Sequence, residues 1–189
     1  MTRQSIPDEE LIRRFRAGDA SAFEGVVARW EPEILRLAFR LTGDLDEARD
    51  VMQTTLMRTH ATLAGFQGDA RFSTWLYRVV VNVYRDRRRG AAADEHARRG
   101  AARVRPGADA TTPERAAVQR ETVELVARAV LTLPSDEREV VVLRHYGDLP
   151  FPEIARVLDA PATTVKSRMA RGLLRLRARL KELEEELET

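Results

Sequence analysis

The chain has 189 residues, 43% of them hydrophobic and 33% charged, with a formal net charge of +2 and no cysteine. That is enough apolar material for one medium or two small cores, and it excludes disulfides and thiolate metal sites. No apolar run approaches the length of a membrane span and Met1 to Glu10 lack a signal-peptide core, so a cytoplasmic protein without membrane insertion is expected.

Nearly every segment repeats at the helical period and no alternating run argues for a strand, so the expected fold class is all-α. Asp8 is placed to cap a short helix carrying Leu11, Ile12 and Phe15, which Gly18 stops. Asp19 opens a longer stretch with Phe23, Val26, Val27, Trp30, Ile34, Leu35 and Leu41 inward, ended by Gly43. Pro32 is expected to bend or restart it, having no amide proton and clashing one turn back. Asp44 and Glu47 have capping-box spacing for a helix to about Leu63. A loop over 64–71 follows, then a helix from about Ser73 to Arg89 with Trp75, Leu76, Val79, Val80 and Val83 inward.

From 90 to 112 the pattern gives way to Ala, Gly, Arg and Asp with Pro106, which reads as a flexible linker with little to bury. Thr112-Pro113 looks like a helix start. A helix through Val123, Val126, Val130 and Leu133 comes next, then one from Ser135 to Tyr146 stopped by Gly147. A short helix near Pro152 to Leu158, a tight turn over Asp159 to Pro161 and a long basic helix from Thr163 complete the pattern. The expected division is therefore two small helical domains, 1–89 and 113–189, joined by a linker over 90–112, with an acidic tail from Glu182 to Glu188.

Charge is segregated. Basic residues cluster at Arg85, Arg87, Arg88 and Arg89 and again from Lys166 to Lys181, which suggests separate surfaces for separate partners. The second cluster coincides with the stretch Phe151 to Arg179, which has the form of a helix-turn-helix. Ile154, Ala155 and Leu158 supply the packing side of its first helix; Val165, Met169, Leu173 and Leu176 supply that of its second. Such a pair sets the N-terminal half of the second helix in the major groove. Here that half carries Thr163, Thr164, Lys166, Ser167, Arg168 and Arg171. Arginine can pair bidentately with guanine and threonine can meet a thymine methyl, whereas serine and lysine suit phosphates.

The run Phe66-Gln67-Gly68-Asp69-Ala70-Arg71-Phe72-Ser73-Thr74-Trp75-Leu76-Tyr77-Arg78-Val79-Val80-Val81-Asn82 closely resembles the promoter-melting region of extracytoplasmic-function (ECF) sigma factors of the sigma-70 family. Asp50-Val51-Met52-Gln53 resembles their polymerase-binding helix, and Leu133-Pro134 with Pro161 to Arg168 resembles their region four. The resemblance covers about 8–89 and 113–181; it departs at Thr54, Leu56 and His60, where the family often has an acidic residue, phenylalanine and an aromatic. It implies a region 2 helical bundle and a region 4 helix-turn-helix, in a sigma factor that binds core RNA polymerase at its clamp helices and flap and directs transcription from chosen promoters. Arg49, Asp50 and Gln53 would dock on polymerase, and Phe66 with Gln67, Gly68, Asp69 and Ala70 would capture a minus-10 base. Arg78, Asn82, Arg85 and Arg88 would face the duplex edge and its phosphates. Thr163, Thr164, Lys166, Ser167, Arg168 and Arg171 would read minus-35. Trp75, Leu76 and Phe72 are expected to pack the loop rather than touch DNA, and Asn82 fits either role. The chemistry agrees: melting needs a pocket for an unpaired base and a cationic track for the strand.

An anti-sigma factor is a further implied partner, and the free protein is expected to be a monomer. The promoter elements lie on the order of 70 Å apart, whereas a flexible linker of this length averages only ~26 Å, so it must be stretched on polymerase. Its arginines (Arg98, Arg99, Arg103, Arg105) could touch polymerase or template, or keep the segment soluble. His60, His96 and His145 share no ligand spacing, and there is no phosphate loop or nucleophile elbow, so neither a metal, a cofactor nor an enzyme is expected. A stand-alone helix-turn-helix regulator is the alternative; it would need a dimer interface.

Overall fold

The computed structural model describes residues 6–97 and 125–187, and among these every regular element is a helix. The first module comprises α1 (Asp8–Arg16), α2 (Ser21–Thr42), α3 (Leu45–Thr62), a 3-10 turn (Leu63–Gly65) and α4 (Phe72–Ala97). The second comprises α5 (125–131), α6 (Ser135–His145), α7 (Phe151–Leu158) and α8 (Ala162–Leu187).

The boundaries follow from local chemistry. Gly43 ends α2 in the left-handed region at φ 77°, with its N–H donating to the Phe39 carbonyl at 2.8 Å. Asp44 then caps α3, its Oδ1 accepting from the backbone N–H groups of Asp46 and Glu47, each at 2.9 Å. Only half of the expected capping box forms, because the Asp44 N–H turns to Thr42 Oγ1 at 3.4 Å.

Three expectations need correction. Asp8 does not cap α1; it is the first helical residue, and its carboxylate accepts instead from Arg29 and from Trp30 Nε1. Pro32 does not restart α2, which runs unbroken from Ser21 to Thr42. Pro32 and Ala28, whose carbonyl loses its helical donor, both face solvent, where water can serve that carbonyl. Finally, α4 extends to Ala97, eight residues into the expected linker, through the alanine-rich and helix-favouring stretch that follows Gly90. The rest of the linker with its arginines, and the Thr112-Pro113 helix start, lie outside the described residues.

In the first module α2, α3 and α4 bury Val26, Ile34, Leu37, Leu41, Val51, Leu76, Val80 and Tyr84 between them, and α1 lies across α2 with Leu11 and Ile12 inward. In the second, Val140 and Leu143 of α6 meet Ile154 and Leu158 of α7 and Val165, Met169 and Leu176 of α8. Leu173, expected on the packing side, is 46% exposed. Gly172 occupies that side instead: a Cβ there would lie 3.1 Å from Val141 Cγ2, so α8 approaches α6 more closely than leucine permits.

The two modules pack on one another, α4 against α7 and α2 against α6, and their buried residues form one continuous cluster. Arg85 of α4 grips Glu139 of α6, with Nε 3.0 Å from Oε1 and a terminal nitrogen 2.6 Å from Oε2. Thr74 donates to Glu153 at 2.5 Å, and Arg138 donates across the seam to the Leu41 carbonyl at 2.8 Å. Arg40 lies over the Tyr146 ring, 4.7 Å from its centroid.

Candidate nucleic-acid interface

The helix-turn-helix is α7, a three-residue turn and α8. Pro152 starts α7 in the first turn, where a missing N–H is harmless, and Asp159 closes it in the left-handed region at φ 51°. The Val165 N–H donates to the Pro161 carbonyl at 3.1 Å, fixing the start of α8. Thr163, Lys166 and Ser167 stand exposed on α8, Thr164 is half-buried, and Ser167 Oγ donates to the Thr164 carbonyl.

The arginines behave differently. Arg168 Nε lies 3.2 Å from Asp136, and Arg171 and Arg175 both reach Glu137, at 3.2 and 3.1 Å. Asp136 and Glu137 form the first turn of α6, where the helix dipole favours negative charge. The Glu137 side chain is only 5% exposed, whereas Arg171 and Arg175 are 53% and 60% exposed, so only the carboxylate end of these two pairs is desolvated.

In the first module the 3-10 turn and α4 frame a cleft of about 590 Å³ lined by Ala61, Thr62, Gly65, Trp75, Arg78, Val79 and Asn82. Arg78 and Asn82, one helical turn apart, both face solvent along it. Behind the loop, Phe66, Phe72 and Trp75 form an aromatic group with ring centroids 5.4 to 5.8 Å apart. Phe72 and Leu76 are buried and Trp75 half-buried, which is the packing role expected of them.

The expected minus-10 residues are not brought together. Arg78 and Asn82 line that cleft. Phe66, Gln67 and Gly68 line a second cleft, with α1. Asp69 and Ala70 border neither. Arg85 lies at the seam, where its hydrogen bonds to Glu139 push the guanidinium pKa up. Arg88 rests over the Tyr84 ring, 5.7 Å from its centroid.

On α3, Arg49, Asp50 and Gln53 are all exposed; Arg49 pairs with Asp46 and Asp50 with Arg87. Met57, absent from the sequence reading, continues this face and is 67% exposed. Its spacing of four and seven residues from Gln53 and Asp50 was the available signal. No group of histidine and acidic side chains able to hold a metal occurs among the described residues, nor is any helix there long and apolar enough to cross a membrane.

A helix-turn-helix beside a bundle with a cationic, aromatic-backed cleft defines a two-module, helical, DNA-binding protein. The family profile for Sigma-70 region 2 matches residues 26–93, and that for Sigma-70 region 4 matches residues 124–176. The ECF RNA polymerase sigma factor SigW of Bacillus subtilis is 32% identical over 182 residues, covering 93% of this chain and 97% of the relative. The RNA polymerase sigma-H factor of Pseudomonas aeruginosa is 34% identical over 175 residues, covering 87% and 89%. Among solved structures, the sigma factor RpoE of Bartonella quintana, in complex with the anti-sigma factor NepR, shares the fold at a TM-score of 0.73 and 22% identity, over 86% of this chain and 98% of that one. CnrH, in complex with the cytosolic domain of CnrY, gives 0.66 at 25% identity over 93% and 97%. The chain belongs to the ECF sigma factors of the sigma-70 family, and it directs promoter-specific initiation by RNA polymerase.

Proposed function

We propose that the division of labour runs as follows, with a first domain that extends through α4 to Ala97 and a second at 113–189. The exposed α3 face, Arg49, Asp50 and Gln53 extended by Met57, docks on core polymerase. Thr163, Thr164, Lys166, Ser167, Arg168 and Arg171 read minus-35, and the loop Phe66 to Ala70 with Arg78, Asn82 and Arg85 captures and tracks minus-10. The observation that carries this reading is the alignment of Arg78 and Asn82 along one cleft, which offers a cation and a polar edge to an unpaired strand, while Trp75 packs the wall behind them.

Packed modules cannot span two promoter elements on the order of 70 Å apart, so the seam opens on polymerase and frees Arg85. The protein works in the cytoplasm as a monomer until it meets polymerase, without catalysing a reaction of its own. Two of its structural neighbours were solved with an anti-sigma factor or a cytosolic partner domain, which supports a partner of that kind here. Run-off transcription with core polymerase on fragmented genomic DNA tests the reading. Discrete transcripts that require this chain, and that vanish with Arg78→Ala plus Asn82→Ala, are expected. Transcripts indifferent to that pair would contradict the placement of minus-10.

A further inference from the structure

Arg168, Arg171 and Arg175, spaced by three and four residues, share the face of α8 that meets the first turn of α6. Each comes nearest to its acid through Nε. Arg168 lies 3.2 Å from Asp136, Arg171 3.2 Å from Glu137 Oε1, and Arg175 3.1 Å from Glu137 Oε2. With no side chain at Gly172 the α8 backbone draws close to this acid: a Cβ there would lie 3.5 Å from the Glu137 Cβ. Glu137 is buried and Asp136 exposed to solvent along one side, so Glu137 is the firmer anchor.

A guanidinium offers two edges of paired donors, one formed by Nε with a terminal nitrogen and the other by the two terminal nitrogens. Arg171 Nε donates to Glu137 Oε1, while Glu137 Oε2 accepts no hydrogen bond and holds Arg175 by charge alone. The terminal nitrogens of Arg171 and Arg175 make no hydrogen bond among the described residues, and both side chains are largely exposed. The end-on edge of each therefore stays open to a ligand. That edge fits the O6 and N7 of a guanine in the major groove. A guanidinium already held from behind loses less side-chain freedom on meeting a base, whereas an untethered one samples the neighbouring phosphates.

We infer that Glu137 is a positioning residue for minus-35 recognition, holding Arg171 and Arg175 through Nε so that their terminal nitrogens meet base edges rather than phosphates. This rests on the proposed reading of minus-35 by α8, and it adds Arg175 to the reading face. The role is separable from folding. Glu137→Ala leaves two exposed guanidiniums that regain water, so no charge is stranded, and α8 keeps its packing through Val165, Met169 and Leu176.

The test uses holoenzyme assembled from the full chain and core polymerase on a promoter recovered by run-off transcription. Its minus-35 element is left intact or scrambled, and affinity is measured across a series of salt concentrations. The unaltered holoenzyme should prefer the intact element. Glu137→Ala should cut that preference by roughly tenfold. It should also steepen the log–log fall of affinity with salt by about 0.9 for each arginine that moves to a phosphate. In an Arg171→Ala plus Arg175→Ala background, Glu137→Ala should change the preference no further. An equal change on both duplexes, or an undiminished effect without the two arginines, would show that Glu137 acts on the fold or as a repelling charge, and would overturn the inference. If the unaltered holoenzyme does not distinguish the duplexes, the minus-35 reading itself fails and the role of Glu137 with it.

Discussion

Both modules bring basic residues to surfaces read as DNA-facing, yet they hold those residues in different ways. In the second, Arg168, Arg171 and Arg175 fold back onto Asp136 and Glu137 of their own module. In the first, Arg78 faces solvent along an open cleft, while Arg85, two turns further along α4, reaches across the seam to Glu139 of the other module. Neutralisation within a module travels with it; neutralisation across the seam lasts only while the modules touch. Separation would therefore expose Arg85 and leave the α8 arginines as they are.

The largest effect that sharpens this contrast is on stability. Arg85→Ala strands the Glu139 carboxylate, whose side chain is 3% exposed, and should cost about 2–4 kcal/mol in urea unfolding. Arg171→Ala should cost below about 1 kcal/mol, since Arg171 is 53% exposed and Arg175 still serves Glu137. Equal costs would erase the distinction between the two kinds of pair. Next comes DNA recognition. Arg168→Ala should weaken minus-35 binding by about 1–3 kcal/mol and relax sequence preference if Arg168 leaves Asp136 for a base; an equal loss on unrelated sequences would mark a phosphate contact.

A third change probes how tightly the seam closes. Alanine at Gly43 must accept a positive φ and a Cβ 2.6 Å from Leu131 Cδ1, a residue of the other module. We expect a loss of about 1–2 kcal/mol in the full chain and a smaller one in holoenzyme, where Leu131 has moved away.

The smallest effect concerns pH. Burial holds the Glu47 carboxyl above its ordinary value of 4.5, only partly offset by Arg87. The folded state thus binds this proton more tightly than the unfolded chain. That stabilisation is full below 4.5 and is lost as pH rises through the raised value, leaving a charged Glu47 that costs stability at neutral pH. Glu47→Gln should therefore raise Tm at pH 7 by about one or two degrees more than at pH 4. A gain independent of pH would place its origin elsewhere.

Much of this was legible beforehand because it is local. Gly43 and Asp44 encode the α2–α3 corner in their own backbone and side-chain chemistry, and the Thr74 to Leu76 run announces its helix and aromatic packing. What escaped depends on partners distant in sequence. Asp8 has the composition of a cap, but Arg29 and Trp30 claim it. Leu173 has core spacing, but the close approach of α8 to α6 at Gly172 turns it outward. The minus-10 residues lie close together in the sequence, yet Arg78 and Asn82 line one cleft, Phe66 to Gly68 another, Asp69 and Ala70 neither, and Arg85 the seam. The seam carries no periodic signal at all, since Arg85–Glu139 and Thr74–Glu153 join residues 54 and 79 positions apart.

The seam is the central claim, and the absence of cysteine makes it directly measurable. Spin labels at Ala28→Cys on α2 and Ala170→Cys on α8, both exposed positions on opposite modules, report the separation by pulsed electron resonance. The account predicts one narrow distance distribution in the free protein, moving to longer distances when core polymerase is added. A broad distribution in the free chain, or a narrow one that polymerase leaves unchanged, would contradict it.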